Sequence, residues 1–555
     1  MRKIIAVLMS LLLALSATAC SSADNADNVD NKESSQSSSL TEAPSETTSS
    51  STEEHKSEVI EAPTDYFDEN FPSYDDIQAQ YPDKTVLVWA FEGTMWEQLT
   101  PFRSKEINEY LDSLGCDFAV CFKPVWGSAT NDQNTYYNYC IEEMIADGEQ
   151  LDLVNVLMKS AEEGIPNAYH HAVQRGLFAP LDEYFDTEAG RALYDVMPAN
   201  HWETLRVNGS IYGVEGNMDS TGLDYGYYVN KELADKYGYD LSKPAQEQLD
   251  IIREVNEKEY VNYSAFVFDK GHLEDPIAYF TSSMAITPAV YWDDEQHTAR
   301  CALDNPEYLE KLSFFDMLSK EGLLSYAVGG SSRLWFIAQT NLTGGYAAYH
   351  DSTEPIELYY QTFDNLGKDN IVEVYPVFSE PRAVQASYCA TGICSASQNK
   401  DKAFELLALA QTDPYLNNLM VYGIEGTDYN LTEEGKSADL LNAFSYYRYA
   451  NLMICIKSDY PYRRSPDVTA EEYKALYENA VVSEDIDFAF DGRGLEKEIY
   501  ATNLIMGSFS LPGSSGSLEE ALAELRERLE NSGLQKIIDE CNQQYEEYKN
   551  GKNEN

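Results

Sequence analysis

Aromatic rings interleaved with carboxylates and amides recur in this chain just after runs that read as β-strands. Glu92 and Trp96 follow Thr85-Val86-Leu87-Val88-Trp89, and Asn155 and Met158 end the run from Leu151. Asp219 and Tyr225 sit in a glycine-rich passage after Val214. Tyr291-Trp292 precedes an acidic pair, Tyr346, His350 and Asp351 close a run that opens at Gly344, and Asp428-Tyr429 stands further on. Rings of this kind stack on the flat C–H face of a sugar, while carboxylates and amides bind its hydroxyl rim. The chain is well supplied for this, with 41 Tyr and 6 Trp. The candidate ligand-binding residues are therefore Glu92, Trp96, Asn155, Asp219, Tyr225, Trp292, Tyr346, His350 and Asp428. Glu92, Trp96, Asp219 and Tyr346 stand out, because a loop at a strand end has little structural need for them. Trp89 lies inside its strand run and reads as core. Most tyrosines read as core or surface, and His350 fits a structural part as well as a contact.

Catalytic patterns are not found. Gly513-Ser514-Ser515-Gly516-Ser517 lacks the last glycine of a nucleophile elbow. Gly435-Lys436-Ser437 copies the end of a phosphate loop, but Asn430 replaces its first glycine. The seven histidines include no HExxH, and His170-His171, adjacent on a helix, would point apart. No catalytic residue, metal or cofactor is expected. An exported glycosidase, with two carboxylates flanking the bond, is the competing enzyme class, and carboxylates alone do not distinguish it.

The elements that position these residues follow from periodicity. Thr85–Trp89, Phe118–Val125 and Leu151–Met158 read as buried strands, and Phe102–Leu114, stopped at Gly115, and Tyr136–Asp147 as helices between them. Alternating strands and helices imply a mainly parallel α/β sheet. A turn at Asn208-Gly209 leads into the strand through Val214. Tyr225–Asn230 forms another strand, with a short helix to Gly238. Strands follow at Gly344–His350, Asn370–Val377 and Ala386–Ala396, then a helix over Lys400–Thr412. The tail is two helices split near Asn531-Ser532-Gly533, the first opening on Ser517 and Glu520 as a capping box.

Residues 1–19 form a secretory signal: Arg2 and Lys3, an apolar run from Ile4 to Leu15 too short to span a bilayer, then Ala17-Thr18-Ala19. Cys20 follows at once, as in a bacterial lipobox, although the usual Leu three residues earlier is missing. Lipidation of Cys20 is expected, and the Ser/Asp/Glu-rich stretch 20–65 then serves as a disordered tether. From Cys20 to Asp83, 16 acidic residues face two lysines, so the segment self-repels and extends. Together they place the protein on the extracytoplasmic face of a cell membrane, with a composition suited to a Gram-positive surface. The net charge of −55, from 39 basic and 94 acidic residues, excludes nucleic acid and adhesion to anionic lipid. Eight cysteines beyond Cys20 show no repeated CxxC pair. Export permits disulfides and Cys389 and Cys394 are close, but reduced, buried thiols are expected in so large a core.

Several passages together resemble the family 1 extracellular solute-binding proteins, the group that includes maltose-binding protein. Val86-Leu87-Val88-Trp89 resembles the family's opening strand, and Asp152-Leu153-Val154-Asn155 its "D-[IL]-[IV]" strand. Gly176-Leu177-Phe178-Ala179-Pro180-Leu181 resembles "G-L-L-x-x-L". Tyr212-Gly213-Val214 with Tyr228-Val229-Asn230-Lys231-Glu232-Leu233 resembles the next conserved pair, with Glu215 standing where proline is common. Thr391-Gly392-Ile393, Ser395-Ala396-Ser397-Gln398-Asn399-Lys400 and Ala403-Phe404-Glu405-Leu406-Leu407 resemble the last. The ordered set spans nearly the whole body. The resemblance implies a type II periplasmic-binding-protein-like α/β fold of two lobes, with the ligand cleft between them. Crossings are expected near Val214–Tyr227, Tyr375–Arg382 and Glu425–Asn430. Lobe one is then 84–213 with 378–425, and lobe two 214–377 with 426–555. It also implies a monomer that captures a carbohydrate by hinge closure and delivers it to an ABC permease. A ligand sensor or a peptide binder of the same fold stays open at this stage.

Overall fold

The computed structural model describes residues 71–554 except 93–102, 126–134, 158–167, 196–198, 217–220, 223–226, 244, 260–265, 270–283, 285, 328–342, 346–370, 375–381, 384, 386–388, 432–437, 441–477, 479 and 513–515. All of them belong to one compact unit, Ser57–Asn555.

The chain begins with α1 (Tyr74–Gln80), β1 (Thr85–Glu92), α2 (Ser104–Ser113), β2 (Phe118–Val125), α3 (Thr135–Ala146), β3 (Leu153–Leu157), α4 (Ala168–Gln174), α5 (Glu188–Tyr194) and α6 (Ala199–Thr204). β4 (Arg206–Val207), β5 (Ser210–Ile211) and β6 (Gly213–Glu215) follow. Val86 through Phe91 are all buried, as a parallel strand covered on both faces requires. β1 pairs in parallel with β2 along its full length, from Thr85↔Phe118 to Glu92↔Val125, and with β3 at Trp89↔Leu153. Ile107 and Leu111, one turn apart on α2, bury against this sheet, and Gly115 ends the helix region at φ +81°. Trp89 is fully buried and stacks on Phe122, in keeping with its place inside the strand run.

The sequence places the start of the body at Lys84, and the structure starts it earlier, at α1. Ser73 caps α1 in a capping box with Asp76, and Ile77 joins the first core.

The middle of the chain supplies β7 (Thr221–Gly222), β8 (Tyr227–Asn230), α7 (Lys231–Tyr237), α8 (Leu249–Glu259), β9 (Phe266–Asp269), β10 (Val290–Asp293), β11 (Thr298–Cys301), α9 (Pro306–Lys320), β12 (Leu324–Ala327), β13 (Thr343–Gly345) and β14 (Ile371–Val374). Asn230 caps α7, and Gly238 closes it in the left-handed region at φ +72°, which a side chain would resist. A second sheet runs β12-β9-β13-β8-β14, with β12, β9 and β13 mutually parallel. The chain then forms β15 (Arg382–Ala383) and β16 (Cys389–Ile393), which returns to the first sheet between β3 and β6. α10 (Lys400–Thr412), α11 (Pro414–Val421), β17 (Tyr429–Leu431) and β18 (Ala438–Leu440) follow, then α12 (Glu496–Gly507), α13 (Leu518–Asn531) and α14 (Leu534–Glu554).

The first sheet, β2-β1-β3-β16-β6, is mixed rather than mainly parallel, since β16 is antiparallel to both β3 and β6. β16 re-enters this sheet from the second half of the chain, after the strands of the second sheet. Two hydrophobic cores result. The first gathers β1–β3, β6, β16, α10 and α11, and the second gathers β8, β10, β11, α9 and the C-terminal helices. Cys116, Cys121, Cys301, Cys394 and Cys541 are free thiols, and burial pushes the Cys121 thiol up to about 11.

Candidate functional site

The parallel strands β1, β2 and β3 end on one edge of the first sheet, and β9, β12 and β13 end together on the second. Ligands of open α/β sheets sit at such carboxyl ends. Glu92 is the last residue of β1, and its side chain lies outside the described residues. So do Trp96, Asp219, Tyr225, Tyr346 and His350, and Cys20 with the whole leader and tether.

The three remaining candidates are described, and each has polar atoms engaged inside the protein. Asn155 is buried in β3, and its Nδ2 donates to Thr391 Oγ1 at 3.1 Å and to the Ala390 carbonyl at 3.4 Å. Trp292 is buried in the second core, and its indole N–H donates to Asp485 Oδ2 at 3.1 Å. Asp428 takes a two-pronged bond from Arg103, Nε to Oδ2 at 2.9 Å and Nη2 to Oδ1 at 2.6 Å. It also accepts the Ile424 N–H at 2.8 Å. This planar fork ties the 423–428 turn to the start of α2, directly after the segment that carries Trp96. Gly423, at φ +83°, makes room for it: a Cβ there would lie 2.3 Å from Asp428 Oδ2.

A buried carboxylate that sequence reasoning did not single out as a hub organises the first sheet. Asp152 Oδ2 accepts the Val88 N–H at 2.9 Å and Gln150 Nε2 at 2.7 Å. Its Oδ1 accepts Ser397 Oγ at 2.5 Å and Asn399 Nδ2 at 3.1 Å. One aspartate thus joins β1, β3 and the turn after β16. The motif residues Asp152, Ser397 and Asn399 form one hydrogen-bond cluster, although Asp152 lies far from the other two in sequence.

Glu215, where the resembled family commonly has proline, ends β6 with its side chain fully buried. It faces His201 of α6, Nε2 to Oε2 at 2.8 Å. A proline could not supply this partner. Nearby, Tyr169 accepts the Tyr212 N–H and donates to the Leu205 carbonyl, both at 2.9 Å. His170 is buried, and desolvation brings its pKa down to about 3, so it sits in the fold as a neutral ring.

Three chain segments lie side by side between the cores. β15 pairs antiparallel with β7, Arg382↔Gly222 and Ala383↔Thr221. On its other side Arg382 bridges Val481 in parallel, and the Ala383 N–H donates to the Val481 carbonyl at 2.7 Å. Tyr429, by contrast, packs on Tyr422 within the first core.

Comparison with known proteins fits this architecture. The structure of the N-glycan transport solute-binding protein NgtS of Streptococcus pneumoniae superposes with a TM-score of 0.57 at 19% identity. The match covers 84% of this chain and 99% of that one. The chain has the solute-binding-protein fold. The alginate-binding protein AlgQ2 shares the fold at a TM-score of 0.52 and 15% identity, over 84% of this chain and 99% of that one. A Streptococcus pneumoniae protein described as a carbohydrate ABC transporter substrate-binding protein is 23% identical over 419 residues, 72% of this chain and 82% of that protein. A family model described as a domain of unknown function, DUF3502, matches residues 486–550. In this solute-binding fold the matched segment comprises α12–α14 and the residues leading into them, beginning five residues after the Val481 bridge.

Proposed function

We propose that the chain is the substrate-binding component of a carbohydrate ABC importer, held on the extracytoplasmic face of the membrane by lipid on Cys20. It captures an oligosaccharide between its lobes and delivers it to permease subunits. The observation that carries this reading is the pair of separate cores joined by three adjacent segments, with parallel strands of both sheets ending in the candidate-bearing loops. The relatives named above are described as binding or transporting N-glycan, alginate or carbohydrate. Such an arrangement opens and closes by hinge motion, and the ligand's differential affinity for the closed form drives closure. Lobe one is residues 74–213 with about 383–431, and lobe two takes in residues 227–374 and the C-terminal helices. The segment around Val481 serves as the third crossing in place of Glu425–Asn430. Glu92, Trp96, Asp219, Tyr225, Tyr346 and His350 face the sugar, while Asn155, Trp292 and Asp428 hold the frame behind them.

The test is a thermal-shift screen of residues 66–555 against mono- and oligosaccharides, with short peptides as the contrast set. A ligand at about 100 times its Kd stabilises the folded state by about 2.7 kcal/mol, which is readily measured. A shift with one glycan class, without products on long incubation, is expected. A shift with peptides alone would overturn the carbohydrate assignment. Trp96→Ala and Asp219→Ala should each weaken glycan binding with little change in Tm, and unchanged affinity in both would remove these residues from the site.

A further inference from the structure

Residues 483–491 are bonded in two directions. The side chains of Ser483, Asp485, Asp487 and Phe488 point to the second core, while Ala489 packs in the first. Asp485 Oδ1 accepts Tyr545 OH at 2.5 Å, and its Oδ2 faces Trp292 Nε1 at 3.1 Å and His297 Nδ1 at 2.7 Å. Asp487 accepts the hydroxyl of Tyr548, and Ser483 Oγ donates to Asp294 at 2.5 Å. Phe488 lies among Trp292, Tyr545 and Tyr548, with ring centroids 5.7, 5.3 and 5.5 Å away. The carbonyls of residues 486–490 turn the other way, while the Asp491 N–H donates to Gln544 of α14 at 2.8 Å and the Asp491 carbonyl accepts from the same side chain at 2.9 Å. The Asp487 carbonyl accepts the Asn208 N–H at 2.8 Å, and the Phe490 carbonyl accepts Gln174 Nε2 at 3.0 Å, both from elements of the first core. Gln385, just past the crossing strand β15, donates to the Ile486 carbonyl at 2.9 Å and to that of Phe488. α14 is itself fixed to the second core. Asn542 accepts Thr298 Oγ1 at 2.8 Å and the Ala299 N–H at 2.7 Å, and returns a bond to the Ala299 carbonyl.

We infer that the 486–550 segment is a hinge clamp: Tyr545 and Tyr548 of α14 grip Asp485 and Asp487 of the third crossing, and so set the angle at which the two lobes rest. The inference rests on the binding-protein reading above and assigns a part to a segment whose family description gives none. The physical argument is one of unequal attachment. On the lobe-two side, charge-assisted hydrogen bonds and an aromatic cluster hold the strap. On the lobe-one side a few hydrogen bonds to main-chain carbonyls and the small Ala489 side chain hold it, and those bonds can exchange partners as the lobes rotate. The pivot therefore falls between residues 481 and 490 on the lobe-one side, and α12–α14 travel with lobe two. Tyr545 and Tyr548 are positioning residues that never meet the ligand.

The experiment uses the full chain with paired labels at Lys105 and Asp250, both exposed and one on each core's outer helices. Label-to-label distance distributions are recorded without ligand for wild type, Tyr548→Phe and Tyr545→Phe/Tyr548→Phe. The double variant should remain folded and show a shifted or broadened distribution. Its Kd for the wild-type glycan should change by about fivefold or more, the range of typical conformational couplings. A folded variant with a wild-type distribution overturns the clamp. If the double variant does not fold, Tyr548→Phe alone decides by the same distances. Should wild type bind no glycan at all, the carbohydrate reading fails while the distances still judge the clamp.

Discussion

Replacing Asp152 tests whether the first lobe depends on one buried carboxylate. In Asp152→Ala the N–H of Val88 loses its acceptor in the middle of a covered strand, where water does not reach, and Ser397 and Asn399 lose theirs, while Gln150 keeps the Val86 carbonyl at 2.8 Å. A stranded buried donor costs about 1–3 kcal/mol, and a hydrogen bond to a charged group contributes about 1.5–3 kcal/mol. Gln150 is exposed and recovers the rest of its bonding from water. The expected loss is therefore about 3–5 kcal/mol, among the larger single-residue effects. At about 2–4 °C per kcal/mol for a domain of this size, Tm falls by about 6–20 °C. Asp152→Asn keeps the shape. Its oxygen can still accept from Val88 and Gln150, while its NH2 turns to Ser397 Oγ, which rotates to accept. That variant should lose only about 1–2 kcal/mol. Urea unfolding of the purified body, read by tryptophan fluorescence and circular dichroism, measures both. A loss below about 1 kcal/mol for Asp152→Ala would refute the idea that this cluster ties β1, β3 and the 394–399 turn together.

Gly423→Ala should cost about 1–3 kcal/mol, since a Cβ at positive φ is strained and would press on Asp428; a wild-type melting curve would contradict that. His170 carries a depressed pKa, so below about pH 6.5 the unfolded chain takes up a proton that the folded one refuses. Stability should fall by up to about 1.4 kcal/mol per pH unit from this residue, and His170→Asn should flatten that acid limb in urea titrations. His297 has the opposite sign. Its hydrogen bond to Asp485 raises its pKa, so its contribution is complete below about pH 6.5 and disappears as pH rises through the raised value. The gap in Tm between wild type and His297→Gln should close toward alkaline pH, and a constant gap would contradict the pairing. Cys20→Ser should move the protein from the membrane fraction to the medium on cell fractionation; retention on the membrane would end the lipid-anchor proposal.

What the sequence made legible was what local pattern encodes. The run Phe118–Val125 and the helix Lys400–Thr412 have their expected bounds, because unbroken apolar strands and a helical repeat after Asn399 leave few alternatives. The split of the tail at Gly533 follows from a positive φ of 96°. α1 escaped notice because a seven-residue helix in an acidic stretch buries one apolar residue, Ile77, and shows no periodicity. The side-chain locks were beyond local reading for a different reason. Ser397 and Asp152 are 245 positions apart, Trp292 and Asp485 193, and Arg103 and Asp428 325. An aspartate or tryptophan beside a strand end looks the same whether it meets a hydroxyl of a ligand or an N–H of its own chain. Residue type therefore pointed to the kind of bond each makes, and only the fold supplied the partner. The same holds for the third crossing proposed above. Residues 480–491 carry no strand pattern, yet in the turn at 484–487 Asp485 and Asp487 send both carboxylates toward α14 and the β10–β11 hairpin while the alternate Ile486 and Phe488 carbonyls accept Gln385. That alternation, read beside a C-terminal helix with Tyr545 and Tyr548 three apart on one face, is the sequence signal that would have placed the crossing there.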